Sequence, residues 1–131
     1  MSQENLDALK AGYEAFSRGD IDAAFANFAD DIVWEGTNDK VPAGGTYRGL
    51  DAVKGEWLKD VGESFEEFTV TPEEFVEGGD VIVMIGEGHA KLKNGATVDG
   101  DVCHVWRFSG DKVTAAKFFG DSAAVLEAMQ S

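Results

Sequence analysis

The chain has 131 residues, a formal net charge of −14 and 44% apolar residues, and these totals limit both its architecture and its partners. A chain of this length is expected to fold as one domain, residues 1–131, with a buried core. Its 25 acidic residues against 11 basic ones repel phosphate backbones and anionic lipid surfaces, so nucleic acid and membrane are excluded as partners.

The first residues and the cysteine content bear on the compartment and on metal binding. The stretch from Met1 to Asn5 lacks the basic and apolar regions of a secretion signal, which predicts a cytoplasmic protein. Cys103 is the only cysteine, and together with the two histidines it gives no zinc-ligand spacing. We therefore expect no metal site.

The N-terminal half predicts three helices and one strand. Leu6, Leu9, Tyr13 and Phe16 recur at helical spacing, and a second helix follows with Asp20 as its N-cap. A strand over 32–35, a glycine-rich loop over 37–49 and a third helix over 50–62 come next. A loop of that length in a compact domain is often a lid or the rim of a pocket.

The remainder predicts four strands, at about 68–77, 80–93, 101–108 and 113–119, and a closing helix over 122–130. Pro72 indicates that the first of these strands lies at an edge or carries a bulge. Asn94-Gly95 predicts a two-residue hairpin turn, and Gly110-Asp111 predicts a second hairpin.

These two turns predict which side chains share a face with His104. The first turn would place His104 opposite Ile85, and the second would place it opposite Lys117. A single sheet face would then combine His104 with polar side chains and large apolar ones, which is typical of a cavity lining. The polar members of this predicted face are Glu87, His89, Lys117 and Asp121.

Several short motifs, in this order and spacing, resemble the nuclear transport factor two-like superfamily, and within it the SnoaL-like polyketide cyclase and ketosteroid isomerase group. The resemblance covers nearly the whole chain. The motifs are Arg18-Gly19-Asp20, Phe28-Ala29-Asp30-Asp31, Tyr47-Arg48-Gly49, His104-Val105-Trp106-Arg107-Phe108 and Phe118-Phe119-Gly120-Asp121.

The resemblance implies an α+β fold, in which a cone-shaped curved antiparallel sheet is closed by three N-terminal helices and followed by a short C-terminal helix. It also implies a hydrophobic pocket in the mouth of the cone. Members of the superfamily commonly form a homodimer through the outer face of the sheet.

The resemblance carries catalytic roles over only in part. The catalytic base of ketosteroid isomerases falls here at Gly36, the tyrosine of their oxyanion hole falls near Gly12, beside Tyr13, and the second oxyanion donor falls at His104. Steroid isomerisation is therefore not expected. In contrast, His104 and Asp121 match the SnoaL-like pattern, in which an acid near the end of the last strand acts as general acid or base.

Each candidate also has a structural interpretation. His104 could be a hydrogen-bonded strand histidine rather than a catalytic group. Asp121 directly precedes the closing helix and could be only its N-cap. Lys117, Glu87 and His89 could be solvated, and the aromatic candidates could be core residues rather than a binding site for a ring-shaped ligand. The proposed substrate-binding set is Tyr13, Trp34, Trp57, Glu87, His89, Trp106, Lys117 and Phe119.

Two functions follow from this pattern. The first is a cofactor-free enzyme that acts by acid–base chemistry on an apolar cyclic or polyketide-like molecule, by isomerisation, cyclisation or hydrolysis, with His104 and Asp121 as its catalytic residues. The second is a non-catalytic small-ligand-binding or dimerisation module of the same fold, since a fold does not fix a function.

Overall fold

A computed structural model describes residues 2–36 and 38–130, which form four helices packed on one sheet. Helix α3 is continuous over residues 50–64 but contains a π-helical turn at Val53–Trp57. None of the described helices is both long and apolar enough to span a bilayer. The other helices are α1 (Ser2–Ser17), α2 (Ile21–Ala24) and α4 (Ser122–Met129).

Six strands form a single curved sheet in the order β2-β1-β6-β5-β4-β3, which leaves β2 and β3 as open edges. Strand β1 runs parallel to β6, and the other neighbouring pairs are antiparallel. The strands are β1 (Phe28–Gly36), β2 (Thr46–Arg48), β3 (Phe65–Gly78), β4 (Val81–Leu92), β5 (Thr97–Ser109) and β6 (Lys112–Phe119).

This architecture confirms the α+β class and corrects two details of the expected fold. The sheet is not wholly antiparallel, because β1 pairs in parallel with β6. The segment predicted as the loop 37–49, of which Thr37 lies outside the described residues, contains β2, which pairs with Val33–Glu35 of β1. Two helices precede the first strand, and α3 follows β2.

The core lies between α1, α2 and the inner face of the sheet. Leu6 and Leu9 of α1 are buried there together with Phe25, Ile32 and Trp106. Fully burying such a side chain stabilises the fold by roughly 1.5–3 kcal/mol. Asp20 caps α2 as predicted, since its carboxylate accepts a hydrogen bond from the backbone N–H of Ala23.

The first hairpin has one more loop residue than the sequence predicts. Leu92 N–H donates to the Ala96 carbonyl, and Gly95 adopts a φ of 90° in the loop. Asn94 stabilises this three-residue loop by accepting from Ala96 N–H and donating to the Ala128 carbonyl of α4. The register therefore shifts by one residue, and His104 lies opposite Met84 rather than Ile85.

The second hairpin begins in the predicted register, with Ser109 opposite Lys112, and then changes it. A bulge between Arg107 and Phe108 adds one residue to β6, so that His104 lies opposite Phe118 instead of Lys117. Both register predictions around His104 were thus wrong by one residue. In a strand, one residue is enough to move a side chain to the other face.

Close approach of β3 to β4 depends on Gly86. Pro72 lies opposite Gly86, and β3 bulges between Pro72 and Glu74, as the proline predicted for an edge strand. A Cβ at Gly86 would overlap the Thr71 carbonyl oxygen and lie 3.1 Å from the Pro72 Cα. Residue 86 therefore has to be glycine for the bulged edge to pack.

We predict that Gly86→Ala lowers the free energy of unfolding by about 2 kcal/mol or more, because the backbone of β3 must move away. Urea denaturation measures this change. Gly62→Ala is the matched control, since no atom lies within 4 Å of a Cβ at this helical position, and it should stabilise by roughly 0.5–1 kcal/mol. A Gly86→Ala protein as stable as the parent would contradict the close approach of β3 to β4 at this residue.

Candidate functional site

A cavity of about 330 Å³ lies between the inner face of the sheet and the helices, and apolar residues form most of its wall. The rim loop, residues 38–45, forms part of its border through Asn38, Val41, Pro42, Ala43 and Gly44. Among the described residues, five titratable ones border the cavity, and they are Tyr13, His89, Asp101, His104 and Asp121.

The rim loop is fixed from α3. Ala43 has a positive φ of 63°, which is unusual for a residue other than glycine. Its N–H donates to the Asp60 carboxylate over 2.5 Å, and Gly36 N–H donates to the Gly45 carbonyl where the loop returns to the sheet. The prediction of a pocket rim thus agrees with where this loop lies.

Aromatic rings form the inner wall. The Trp34 ring lies 4.9 Å from Trp57 and 4.4 Å from Phe118, measured between ring centroids, and Trp106 lies 5.8 Å away. The Trp34 Nε1–H is buried and has no hydrogen-bond partner among the described residues. Aromatic rings such as these can pack against the ring of a planar ligand.

One chain of hydrogen bonds crosses this aromatic wall. The Trp106 Nε1–H donates to the Tyr13 hydroxyl oxygen over 2.9 Å, and the same hydroxyl lies 2.6 Å from His104 Nδ1. Tyr13 comes from α1, whereas His104 and Trp106 are neighbours on one face of β5. The chain therefore connects the first helix to the central strand.

Burial controls the protonation of this chain. His104 is 8% exposed, and desolvation lowers its pKa to about 3, so its imidazole is neutral at physiological pH. Desolvation also raises the pKa of the Tyr13 hydroxyl, an effect that the hydrogen bond from Trp106 opposes. Both groups are thus uncharged hydrogen-bonding groups.

Asp121 borders the same cavity as His104, but it is exposed and also caps α4. One of its carboxylate oxygens, Oδ1, accepts a hydrogen bond from Ala124 N–H over 2.9 Å. The cap predicted for Asp121 is therefore present, and its other oxygen, Oδ2, has no protein partner in the described part of the chain.

Two of the predicted polar candidates lie on the outer face of the sheet instead. Glu87 does not border the cavity, and Lys117 forms an ion pair with Glu35 at 3.9 Å, outside the cavity. The Lys117 ammonium lies 5.5 Å from the Phe119 ring centroid, and Phe119 is 41% exposed at the edge of the cavity. The shared polar face predicted for His104 is therefore wrong for Glu87 and Lys117.

His89 borders the cavity through its position on β4, but its side chain lies on the outer face. Its Nδ1 is 2.6 Å from Asp99 and its Nε2 is 2.7 Å from Glu67, so three strands meet at this imidazole. These hydrogen bonds raise the pKa of His89. The prediction that His89 and His104 share a face is thus also wrong.

Phe118 is the site residue that the sequence prediction missed. Its ring lies 4.7 Å from His104 in an edge-to-face arrangement. The bulge in β6 places Phe118 beside His104, and only a signal for that bulge could have identified it. The remaining aromatic candidates, Tyr13, Trp34, Trp57 and Trp106, all border the cavity. Among the described residues, no three His, Cys, Asp or Glu side chains are arranged to hold a metal ion.

The lowered pKa of His104 predicts an acid-dependent loss of stability. Below the unfolded pKa of about 6.5, the unfolded chain binds a proton that the folded chain does not bind until about pH 3. For each unit that the pH falls within this window, the parent should lose about 1.4 kcal/mol of its free energy of unfolding relative to His104→Gln. Urea denaturation from about pH 7 to about pH 5 measures the difference in slope, and parallel slopes would contradict a buried neutral imidazole.

The raised pKa of His89 predicts the opposite dependence. Its stabilising contribution is fully present below a pH of about 6.5 and is lost as the pH rises through the raised folded pKa. The stability difference between the parent and His89→Gln should therefore shrink as the solution becomes alkaline, again by urea denaturation. Lys91→Gln, which removes the neighbouring ion pair with Glu66, is a control whose effect should stay constant over this range.

Solved structures with the same fold cover almost the whole chain. An NTF2-like protein of unknown function from Burkholderia pseudomallei K96243 is 28% identical, with a TM-score of 0.90 and 98% of each chain covered. TerC, co-crystallised with polyporic acid, is also 28% identical, with a TM-score of 0.89 and coverage of 98% of this chain and 99% of TerC.

A more distant structure shows the fold alone. It is a hypothetical protein with a ketosteroid isomerase-like fold from Catenulispora acidiphila DSM 44928, in complex with trimethylamine. The two are 19% identical, with a TM-score of 0.75 and coverage of 92% of this chain and 90% of that one. No curated protein matches the sequence.

The family model of the SnoaL-like domain matches residues 9–116, which include the second half of α1 with Tyr13, the aromatic wall named above except Phe118, and His104. This chain belongs to the SnoaL-like domain family, within the NTF2-like superfamily.

Proposed function

We propose that the protein is a cofactor-free enzyme that transforms a small apolar molecule, cyclic or polyketide-like, by acid–base chemistry in the aromatic cavity. The observation that carries this proposal is that His104 and Asp121 border one cavity whose wall is otherwise largely apolar. The fold family includes polyketide cyclases and isomerases, which supports an enzymatic role for this cavity.

The cavity favours a flat, apolar substrate. The centroid of the Trp34 ring lies within about 6 Å of the ring centroids of Trp57, Trp106 and Phe118. Aromatic walls bind planar ligands by offset and edge-to-face contacts. TerC, which is similar over nearly its full length, was co-crystallised with polyporic acid, and that compound is a reasonable first probe for this chain.

Asp121 supplies the base in this proposal. Its Oδ1 is engaged with Ala124 N–H, and the exposed Oδ2 remains able to take a proton from a substrate carbon. The proton would leave the substrate at the rim of the cavity, where water can reach it. His104 lies at the apolar inner wall and is neutral, so it acts as a hydrogen-bonding partner that orients the substrate.

A non-catalytic ligand-binding module is the second candidate. It is favoured by Gly36 at the position where ketosteroid isomerases carry their base, and by the capping role that Asp121 already fills. Such a module would bind a probe such as polyporic acid without converting it. Conversion of any member of a panel of cyclic ketones, epoxides and polyketides at an enzymatic rate would count against it.

We predict that Asp121→Asn lowers kcat by about 100-fold or more, because general base catalysis contributes at least this factor. Asn caps helices about as well as Asp, so thermal unfolding should change little. Turnover of the converted panel member, followed by chromatography of substrate and product, is the measurement.

Asp20→Asn is the matched control, since Asp20 caps α2 in the same way and does not border the cavity. It should retain parental turnover. His104→Gln should also lose activity, because the hydrogen bond that orients the substrate is removed. Parental turnover in both Asp121→Asn and His104→Gln would exclude the proposed chemistry.

A further inference from the structure

We propose that Tyr13 and Trp106 hold His104 in the tautomer with its proton on Nε2, so that the cavity presents an N–H donor and selects ligands with an oxygen acceptor. The acceptor would be a ketone or another carbonyl oxygen on an otherwise apolar skeleton. This inference rests on the proposed function, because it assumes that the ligand occupies the same cavity.

The positions of the protons follow from the Tyr13 hydroxyl. An indole Nε1–H can only donate, so Trp106 occupies one lone pair of the hydroxyl oxygen. The only other partner of this oxygen among the described residues is His104 Nδ1, at 2.6 Å. The Tyr13 O–H is satisfied only if it donates to Nδ1, which must then be unprotonated. The ring proton of a neutral imidazole is therefore on Nε2.

The alternative tautomer leaves a buried donor without a partner. If Nδ1 carried the proton and donated to Tyr13, the tyrosine O–H would have no acceptor among the described residues. An imidazolium is equally disfavoured, because no carboxylate contacts His104 in the described structure and the ring is buried among Tyr13, Trp106 and Phe118.

The Nε2 atom faces the cavity rather than the protein. It lies across the ring from Nδ1 and therefore points away from Tyr13. No described residue accepts from it, and it is not among the buried polar atoms that lack a partner, so it retains contact with the cavity space. The Phe118 ring packs edge-to-face with the imidazole ring, with 4.7 Å between the ring centroids, and offers no hydrogen-bond acceptor of its own. A ligand oxygen is the partner that this donor lacks.

This arrangement makes Tyr13 and Trp106 positioning residues and determines specificity. A carbonyl oxygen accepts from Nε2–H, a hydrocarbon leaves this donor unsatisfied, and an ammonium places a second donor against it. Among ligands of the same shape, affinity should therefore depend on the chemical group that faces His104 Nε2–H.

The tautomer is measured directly by long-range proton–nitrogen correlation of the imidazoles in nitrogen-15-labelled protein at about pH 7. His89→Gln assigns the His104 signals. We expect one neutral His104 ring with protonated Nε2 and an Nδ1 that accepts a hydrogen bond. In Tyr13→Phe the Nδ1 hydrogen-bond signature should be lost and the other tautomer should appear. A proton on Nδ1 in the parent, or a charged ring, overturns the proposal.

The ligand class is tested by calorimetry with three probes of one bicyclic skeleton, namely 1-tetralone, tetralin and 1-aminotetralin. We expect the ketone to bind about fivefold or more tightly than the hydrocarbon, and the amine to bind most weakly. In Tyr13→Phe the preference for the ketone should shrink, whereas Tyr47→Phe, whose ring does not border the cavity, should retain it. Equal affinity of ketone and hydrocarbon, or no binding of the ketone, overturns the ligand class.

These results separate the inference from the proposed function. Neither measurement depends on Asp121, so parental turnover in Asp121→Asn together with an Nε2–H tautomer and a ketone preference would overturn only the base. Loss of turnover in Asp121→Asn together with an Nδ1–H tautomer would overturn only the role of Tyr13 and Trp106.

Discussion

The site depends on one buried hydroxyl. Tyr13 of α1 accepts a hydrogen bond from Trp106 and contacts His104, both on β5, and these are the polar contacts that cross the aromatic interior between helix and sheet. Polar groups in an apolar interior are costly when one partner is missing, so the three side chains depend on one another. The position of α1 on the sheet and the orientation of the imidazole are thus coupled.

This coupling explains why a histidine is retained in a core that could be wholly apolar. Ile32, Met84 and Val113 are almost completely inaccessible and show that the inner face of the sheet can pack without polar groups. His104 occupies the same face at 8% exposure and is surrounded by rings rather than by charges. Polar residues that oppose simple packing rules are expected at functional sites, where they are stabilised by neighbouring structure.

Much of the fold was predictable from local signals, because helix caps, glycine turns and apolar periodicity act over a few residues. Asp20, Pro72 and the three tryptophans of the aromatic wall lie where the sequence indicated. The register around His104 was not, because it depends on a third loop residue stabilised by the Asn94 side chain and on a bulge in β6 that has no marker in the sequence. Each shift was one residue: the first placed Met84 instead of Ile85 opposite His104, and the second placed Phe118 there instead of Lys117.

The two histidines show how completely those shifts alter the chemistry. On the outer face, His89 lies between Glu67 and Asp99, and carboxylates raise its pKa in a chain with a net charge of −14. On the inner face, no carboxylate forms a hydrogen bond or ion pair with His104 among the described residues, and desolvation lowers its pKa to about 3. A strand face that combined both histidines with Glu87 and Lys117 would have formed a charged site. The observed surroundings of His104 keep its imidazole neutral, so at this point of the cavity the direction of hydrogen bonding rather than charge distinguishes one ligand from another.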